Sequence, residues 1–287
     1  MSTSTRIILS NFWISLSASF ITAYFSVSFG ASFDTNLLWL VLSAFLSTFA
    51  IYTFYRQSQK ILLWMIPALF AFLVSFTLNA LNIIIGINLL LCLLYQTPFS
   101  KYPLRNNPWI KPLLIAACWL NTIWLAPLLN YAVPIWESMA QHLPSVDLAN
   151  EAVIHQFMIA QWKAALANGI AIFCVYYALC LLTDLLQVKE DQKNGFISFP
   201  IKYGIKTTFI SSVLLFLPIL SFSIIHFPYS LFMLDAWGAL FWGLAGIFCS
   251  VMVYKKPAMI ANAFLVDNAI GFCALILLIL QLITRLN

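Results

Sequence analysis

Runs of about twenty apolar residues recur from one end of the chain to the other, each closed by a short polar or proline-bearing break. A helix needs roughly twenty such residues to cross a bilayer. Within lipid, a helix satisfies its own backbone hydrogen bonds, which is why spanning segments are helical. The pattern predicts an all-α polytopic membrane bundle of about nine transmembrane helices. They fall near 7–28, 36–55, 61–78, 80–97, 109–132, 157–185, 205–226, 229–253 and 258–284. The third and fourth meet at Leu78-Asn79-Ala80-Leu81-Asn82, with neither charge nor proline to mark the turn. No break is long enough to hold a soluble domain, so residues 1–287 read as a single transmembrane domain. Met1 to Arg6 is short and polar, and no small-residue cleavage site follows the first apolar run. That run reads as a retained helix and not a signal peptide.

The charges fit this count. With the first loop placed inside, the inside loops hold Arg6, Arg56, Lys60, Lys101, Arg105, Lys111, Lys189, Lys193, Lys202, Lys206, Lys255 and Lys256. The outside keeps Lys163 and Arg285, and its loops hold Asp34, Glu137, Asp147, Glu151 and Asp235. The positive-inside rule then puts the N-terminus in the cytoplasm and the C-terminus outside. The expected location is an integral membrane protein of a bacterial inner membrane. The long outer segment near 133–156 reads as a connector, or as a short amphipathic helix on the outer surface.

Composition narrows the class. At 63% hydrophobic and 8% charged residues, the chain departs from soluble domains, where about 25% are charged. The net charge of +5 comes from loop lysines and suits an anionic membrane surface. No basic patch is interleaved with exposed aromatics, so nucleic acid is not an expected partner. Cys92, Cys118, Cys174, Cys180, Cys249 and Cys273 all lie inside apolar spans without a C-x-x-C pair, and read as small buried hydrophobes. His142, His155 and His226 are isolated and carry no ligand spacing.

One polar interruption carries chemistry: Asp184-Leu-Leu-Gln-Val-Lys-Glu-Asp191-Gln-Lys-Asn-Gly195-Phe-Ile-Ser198-Phe-Pro200-Ile-Lys-Tyr-Gly204. Carboxylates at a membrane boundary hold a cation or a proton, because leaving them unpaired near lipid is costly. Asp184 and Asp191 are seven residues apart, two helical turns or about 10 Å, and are not expected to share one face of a continuous helix. Convergence on a shared cation therefore predicts that the helix ends or unwinds after Asp184. Hard oxygen ligands at such a mouth suit Mg²⁺, which binds through one or two carboxylates plus substrate phosphates.

This segment resembles the second aspartate-rich motif of the UbiA-type intramembrane prenyltransferases. Asp184, Asp191, Gly195, Ser198 in place of threonine, Pro200 and Gly204 stand at matching spacing, with Gln187 where a middle aspartate often sits. The resemblance implies one UbiA-like domain over the whole chain. It also implies Mg²⁺ held by Asp184 and Asp191, a prenyl diphosphate donor, a lipophilic acceptor and a bilayer around them. The family's first motif belongs at the end of helix two. Here that place reads Ala50-Ile-Tyr52-Thr53-Phe54-Tyr55-Arg56-Gln57-Ser58-Gln59-Lys60, which contains no carboxylate.

Other residues are weighed beside this pair. Arg56 and Lys60 either bind the diphosphate in place of the missing acids or only anchor an inside loop. Lys202 would supplement their charge. Lys101, Arg105 and Lys111, set among Pro98, Pro103, Pro108 and Pro112, form a rigid basic loop that covers a diphosphate or stays solvated. Asp267, ten residues after Pro257, is expected roughly 15 Å up the last helix. An acid at that depth orients or deprotonates an acceptor, or makes a structural hydrogen bond.

Three functions compete on this reading. One is prenyl transfer from a diphosphate to a lipophilic acceptor. Another is a non-catalytic relative that keeps a lipid or diphosphate pocket, which the empty first motif favours. The last is a small transporter using Asp184 and Asp267, disfavoured because no paired Gly or Pro interruptions mark two repeats.

Overall fold

The computed structural model describes residues 3–57, 60–76, 81–96, 106–141, 148–193, 195–226, 234–255 and 263–286. These form helices α1 (Thr3–Ser28), α2 (Thr35–Gln57), α3 (Ile61–Ser75), α4 (Leu81–Gln96), α5 (Ile110–Leu120) and α6 (Val133–Gln141). Beyond them run α7 (Leu148–Lys193), α8 (Phe199–Tyr203), α9 (Ile205–Leu215), α10 (Leu217–His226), α11 (Leu234–Lys255) and α12 (Ala263–Leu286). Among the described residues there is no strand. Each predicted span has its helix, and the architecture is a polytopic membrane bundle. Six of the helical segments are long and apolar enough to cross a membrane, and Ile61–Val74 and Asn268–Gln281 are shorter apolar helices.

Two spans are longer than predicted. The fifth does not stop at 132. It passes from α5 through π-helical turns at Asn121–Leu125 and Leu128–Ala132 into α6. Pro127 lies between those turns and has no N–H to donate, so the helix widens there instead of breaking. The sixth span runs from Leu148 to Lys193, 46 residues. It absorbs part of the outer connector at one end and the Asp184–Asp191 stretch at the other.

The bundle is apolar on its outer surface, and its apolar interior carries buried polar residues at helix contacts. Leu62, Phe70, Phe248 and Ile276 face outward. Within it, α1 turns Asn11, Ser15, Ser19, Thr22 and Ser26 inward at helical spacing, all buried. Small hydroxyl residues let membrane helices approach closely and bond across the interface. Asn11 Nδ2 donates to Thr53 Oγ1 of α2 at 3.2 Å, and Ser19 Oγ to the Val41 carbonyl at 3.3 Å. Ser17 donates to Asn268 of α12, and Gln281 Nε2 to Ser28 at 2.7 Å. The order of these last two contacts makes α1 and α12 parallel. In α4, Asn88 donates to Thr122 at 2.9 Å and accepts from Asn121 at 2.9 Å. The apolar core centres on α1, α7 and α11, where Trp242 meets Phe25 edge-on at 5.3 Å.

Candidate functional site

The motif segment folds as two stops and a short helix. At the end of α7, Gly195 takes a positive φ of 71° and the Phe196 N–H donates to the Asp191 carbonyl at 2.9 Å. This left-handed termination is one that glycine makes at little cost. Ser198 then stands in extended conformation at the start of α8, with Pro200 in its first turn, where a missing N–H leaves nothing unsatisfied. Gly204, at φ 89°, separates α8 from α9 and donates to the Pro200 carbonyl at 3.0 Å. Ser198, Phe199 and Pro200 are buried.

Aromatic rings fix this segment to the start of α5. Trp109 Nε1 donates to the Tyr203 hydroxyl at 2.7 Å, and the Trp109 ring meets Phe199 edge-on at 4.9 Å. The Tyr177 hydroxyl donates to the Trp109 carbonyl at 3.4 Å. The N-terminus of α5 is thereby held against the last turns of α7.

At this junction Lys111 reaches between the two aspartates. Its Nζ lies 2.5 Å from Asp184 Oδ1 and 3.5 Å from Asp191 Oδ2. Relative exposures are 7% for Lys111, 2% for Asp184 and 3% for Asp191, so all three charges are withdrawn from solvent. The expectation of an unwound helix is overturned here. α7 runs unbroken to Lys193, and seven residues at 100° each fall about 20° short of two full turns. The two carboxylates do share a face, and a long side chain lying along that face touches both. Lys111 is likewise not a solvated loop cation. It lies in the first turn of α5, where the helix dipole disfavours a positive charge, so the carboxylates are what hold it. Asp184 Oδ2 and, at the start of α8, Ser198 Oγ are buried without a side-chain hydrogen-bond partner.

Of the other expected site residues, the two whose side chains are described, Lys60 and Lys202, do not join this cluster. Lys202 is exposed, its Nζ 5.4 Å from the centre of the Tyr203 ring. Lys60 is exposed just before α3. Arg105 lies outside the described residues, as does the side chain of Arg56 on α2. Asp267 falls in the second turn of α12, one residue before Asn268, which meets Ser17 at about half the height of α1. Its backbone is therefore deep in the bundle, and its side chain is outside those described. Sequence reasoning missed the role of Lys111. The available signal was a cation at the wrong end of an apolar helix.

A small pocket opens one turn along α5 from Lys111, between α5 and the end of α2. Thr48, Ile51, Tyr52, Ile115, Trp119 and Thr122 line it. Trp119 Nε1 donates to the Tyr52 hydroxyl at 3.3 Å, and Trp119 stacks on Tyr176 of α7 at 4.9 Å. A second pocket, lined by Tyr24, Phe25, Asn168, Phe222 and Trp242, lies at the opposite end of the bundle from the carboxylates.

The donor set was tested for a divalent ion. Asp184 Oδ2 is an orphaned acceptor that would suit one. Among the described residues, however, no three His, Cys, Asp or Glu side chains group as metal ligands. A cation placed between Asp184 and Asp191 would also stand where the Lys111 ammonium stands, and the two would repel. The residues as arranged do not fit a resident Mg²⁺.

No protein-family model and no curated protein matches the chain. Among solved structures, 97% of the chain is similar to 96% of a structure from work on digeranylgeranylglyceryl phosphate synthase in membranes, at 17% identity and a TM-score of 0.57. The two share a fold. The similarity runs end to end, so the α5–α7–α8 junction belongs to a common scaffold and not to an appended segment.

Proposed function

We propose that this chain is an intramembrane prenyltransferase of the UbiA type, moving an isoprenyl group from a prenyl diphosphate to a lipophilic acceptor. The observation that carries the reading is the fold shared over 97% of the chain with the synthase structure, with the motif-matching aspartate pair buried at the end of α7. Transfer breaks the C1–O bond of the donor. The diphosphate leaves with the bonding electrons, and an acceptor atom bonds to C1 and gives up a proton.

The chain's own groups divide this work. Lys60 and Lys202, exposed beside α3 and in α8, would set positive charge where the leaving diphosphate collects negative charge, with Arg56 and Arg105 proposed to add to it, while Lys111 offsets part of the charge of Asp184 and Asp191. The cavity between α2 and α5 takes the start of the isoprenyl tail, and its Tyr52 and Trp119 rings exclude water from the reacting carbon. Asp267 orients the acceptor. In this reading the site opens to the cytoplasm of a bacterial inner membrane.

A second reading is a lipid-diphosphate binder without turnover. The ion pair itself favours it, since Lys111 neutralises the acids that would otherwise recruit a metal. Calorimetry with a non-hydrolysable geranylgeranyl diphosphate analogue, followed by a radiolabelled transfer assay with membrane lipids as acceptors, separates the two. Binding with a labelled product supports transfer, and binding without product supports the binder. A folded protein that binds no analogue refutes both.

A further inference from the structure

We propose that Lys111 is a resident cation holding the divalent-ion position of the Asp184–Asp191 pair. While it stays, the site works without metal. Once it is removed, the same residues form a latent metal site.

The argument begins with charge. Two carboxylates and one ammonium leave a net charge of −1 in a volume closed to solvent. Removing the ammonium raises this to −2, which buried carboxylates do not sustain unpaired. They must take up a proton or a cation. Geometry then selects the cation. Both acids project from one face of α7 and already converge within 3.5 Å of one point. Asp184 Oδ2 is a further oxygen of the same carboxylate, buried with its lone pairs unfilled by any side chain. Oxygen-rich, thiol-free surroundings suit hard ions such as Mg²⁺ and Mn²⁺. Position supports the same conclusion. Lys111 is placed by the Trp109 clamp and faces an unfavourable helix dipole, so its burial is maintained by the acids and not by α5.

Covalent tethering gives the lysine an advantage over a free ion, which would have to lose its water to enter. It also explains the sequence at the end of α2. A site whose positive charge is built in has no use for a second set of acids, and residues 50–60 contain none. Any consequence for the prenyl donor rests on the transfer reading above. The metal behaviour does not.

The test uses Mn²⁺ alone as probe, read by electron paramagnetic resonance on full-length protein in detergent. Wild type is expected to show no Asp191-dependent site. Lys111→Met is expected to gain one, with at least about tenfold higher affinity from removal of a neighbouring unit charge. Lys111→Met combined with Asp191→Asn is expected to lose it again. Wild-type binding that Asp191→Asn abolishes overturns the proposal, as does folded Lys111→Met that binds no Mn²⁺. If Lys111→Met does not fold, the wild-type and Asp191→Asn comparison still decides: Asp191-dependent binding overturns it, and its absence supports it. Analogue binding by wild type, measured in EDTA and again in Mg²⁺, separates this proposal from the transfer reading. Equal binding supports a metal-free site, binding only with Mg²⁺ overturns it, and no binding under either condition refutes both readings of function while the Mn²⁺ comparison still decides this proposal.

Discussion

Replacing Asp184 by Asn is expected to destabilise the protein more than replacing Asp191, and a second change at Lys111 is expected to cost less in that background than it does alone. The reasoning starts from two distances. At an effective dielectric of about 20, unit charges attract by roughly 7 kcal/mol at the 2.5 Å of the Asp184 contact and roughly 5 kcal/mol at the 3.5 Å of the Asp191 contact. Desolvation cancels most of both. The measured cost of breaking a buried pair is about 3–5 kcal/mol. Asp191 remains near the stranded ammonium, so Asp184→Asn belongs at the low end, about 3 kcal/mol. Scaled by distance, Asp191→Asn costs about 2 kcal/mol. Lys111→Met alone strands two acids and costs about 3–5 kcal/mol. The double variant Lys111→Met, Asp184→Asn strands only one acid, so its loss falls short of the sum by about 1–3 kcal/mol, the usual coupling of contacting residues. Thermal unfolding in detergent, followed by intrinsic tryptophan fluorescence, gives the ranking directly. Equal melting temperatures for Asp184→Asn and Asp191→Asn, or strictly additive losses in the double variant, would refute a shared buried ammonium.

Three further expectations concern the scaffold. A Cβ added at Gly246 would lie 2.1 Å from the fully buried Phe216 ring, so Gly246→Ala should cost about 1–3 kcal/mol through overpacking, measured by the same melting assay. Gly204 has a φ and ψ that other residues adopt only under strain, so Gly204→Ala should cost about 1–3 kcal/mol and speed proteolysis at the α8–α9 joint, read by limited trypsin digestion. Asp34 precedes α2 and accepts from the Leu37 N–H at 2.9 Å and the Ser32 hydroxyl at 3.0 Å, which hold its carboxyl below the usual 3.8. A lowered folded pKa means stabilisation present above that value and lost as pH falls through the folded one. Asp34→Asn should therefore flatten the most acidic part of the pH–melting curve, and an unchanged curve would count against the cap.

The fold was legible because lipid leaves so few solutions. Apolar runs of spanning length, most of them separated by charged or proline-bearing breaks, dictate helical rods, and each of the predicted spans has its helix among the described residues. Boundaries were less legible where polarity and helicity part company. The stretch from Asp184 to Lys193 reads as a loop because it is polar, yet Gln187, Val188, Lys189 and Glu190 are compatible with a helix that projects beyond the bilayer, and α7 continues through them. The π-turns around Pro127 left no signal in hydropathy. The turn glycines were readable for a local reason: Gly195 and Gly204 both occupy positive φ, and no distant contact is needed to explain that.

The candidate site was half legible, and the missing half follows from the range of sequence logic. Asp184 and Asp191 announce themselves by being acids at the mouth of an apolar span. Their partner stands 73 residues before Asp184 on another helix, among basic residues that all satisfy the positive-inside pattern. That pattern accounts for Lys111 without using its side chain, so it hides the one lysine that is buried among those described. Two local facts set Lys111 apart from Lys101 or Lys202. It sits between Trp109-Ile110 and Pro112-Leu113, inside the apolar run and not before it. It also occupies a helix N-terminus, where a cation needs compensation. A lysine meeting both conditions in a membrane chain predicts an acid on a neighbouring helix end. Here the acid is a pair, and two turns of unbroken α7 are what bring both members to the same ammonium.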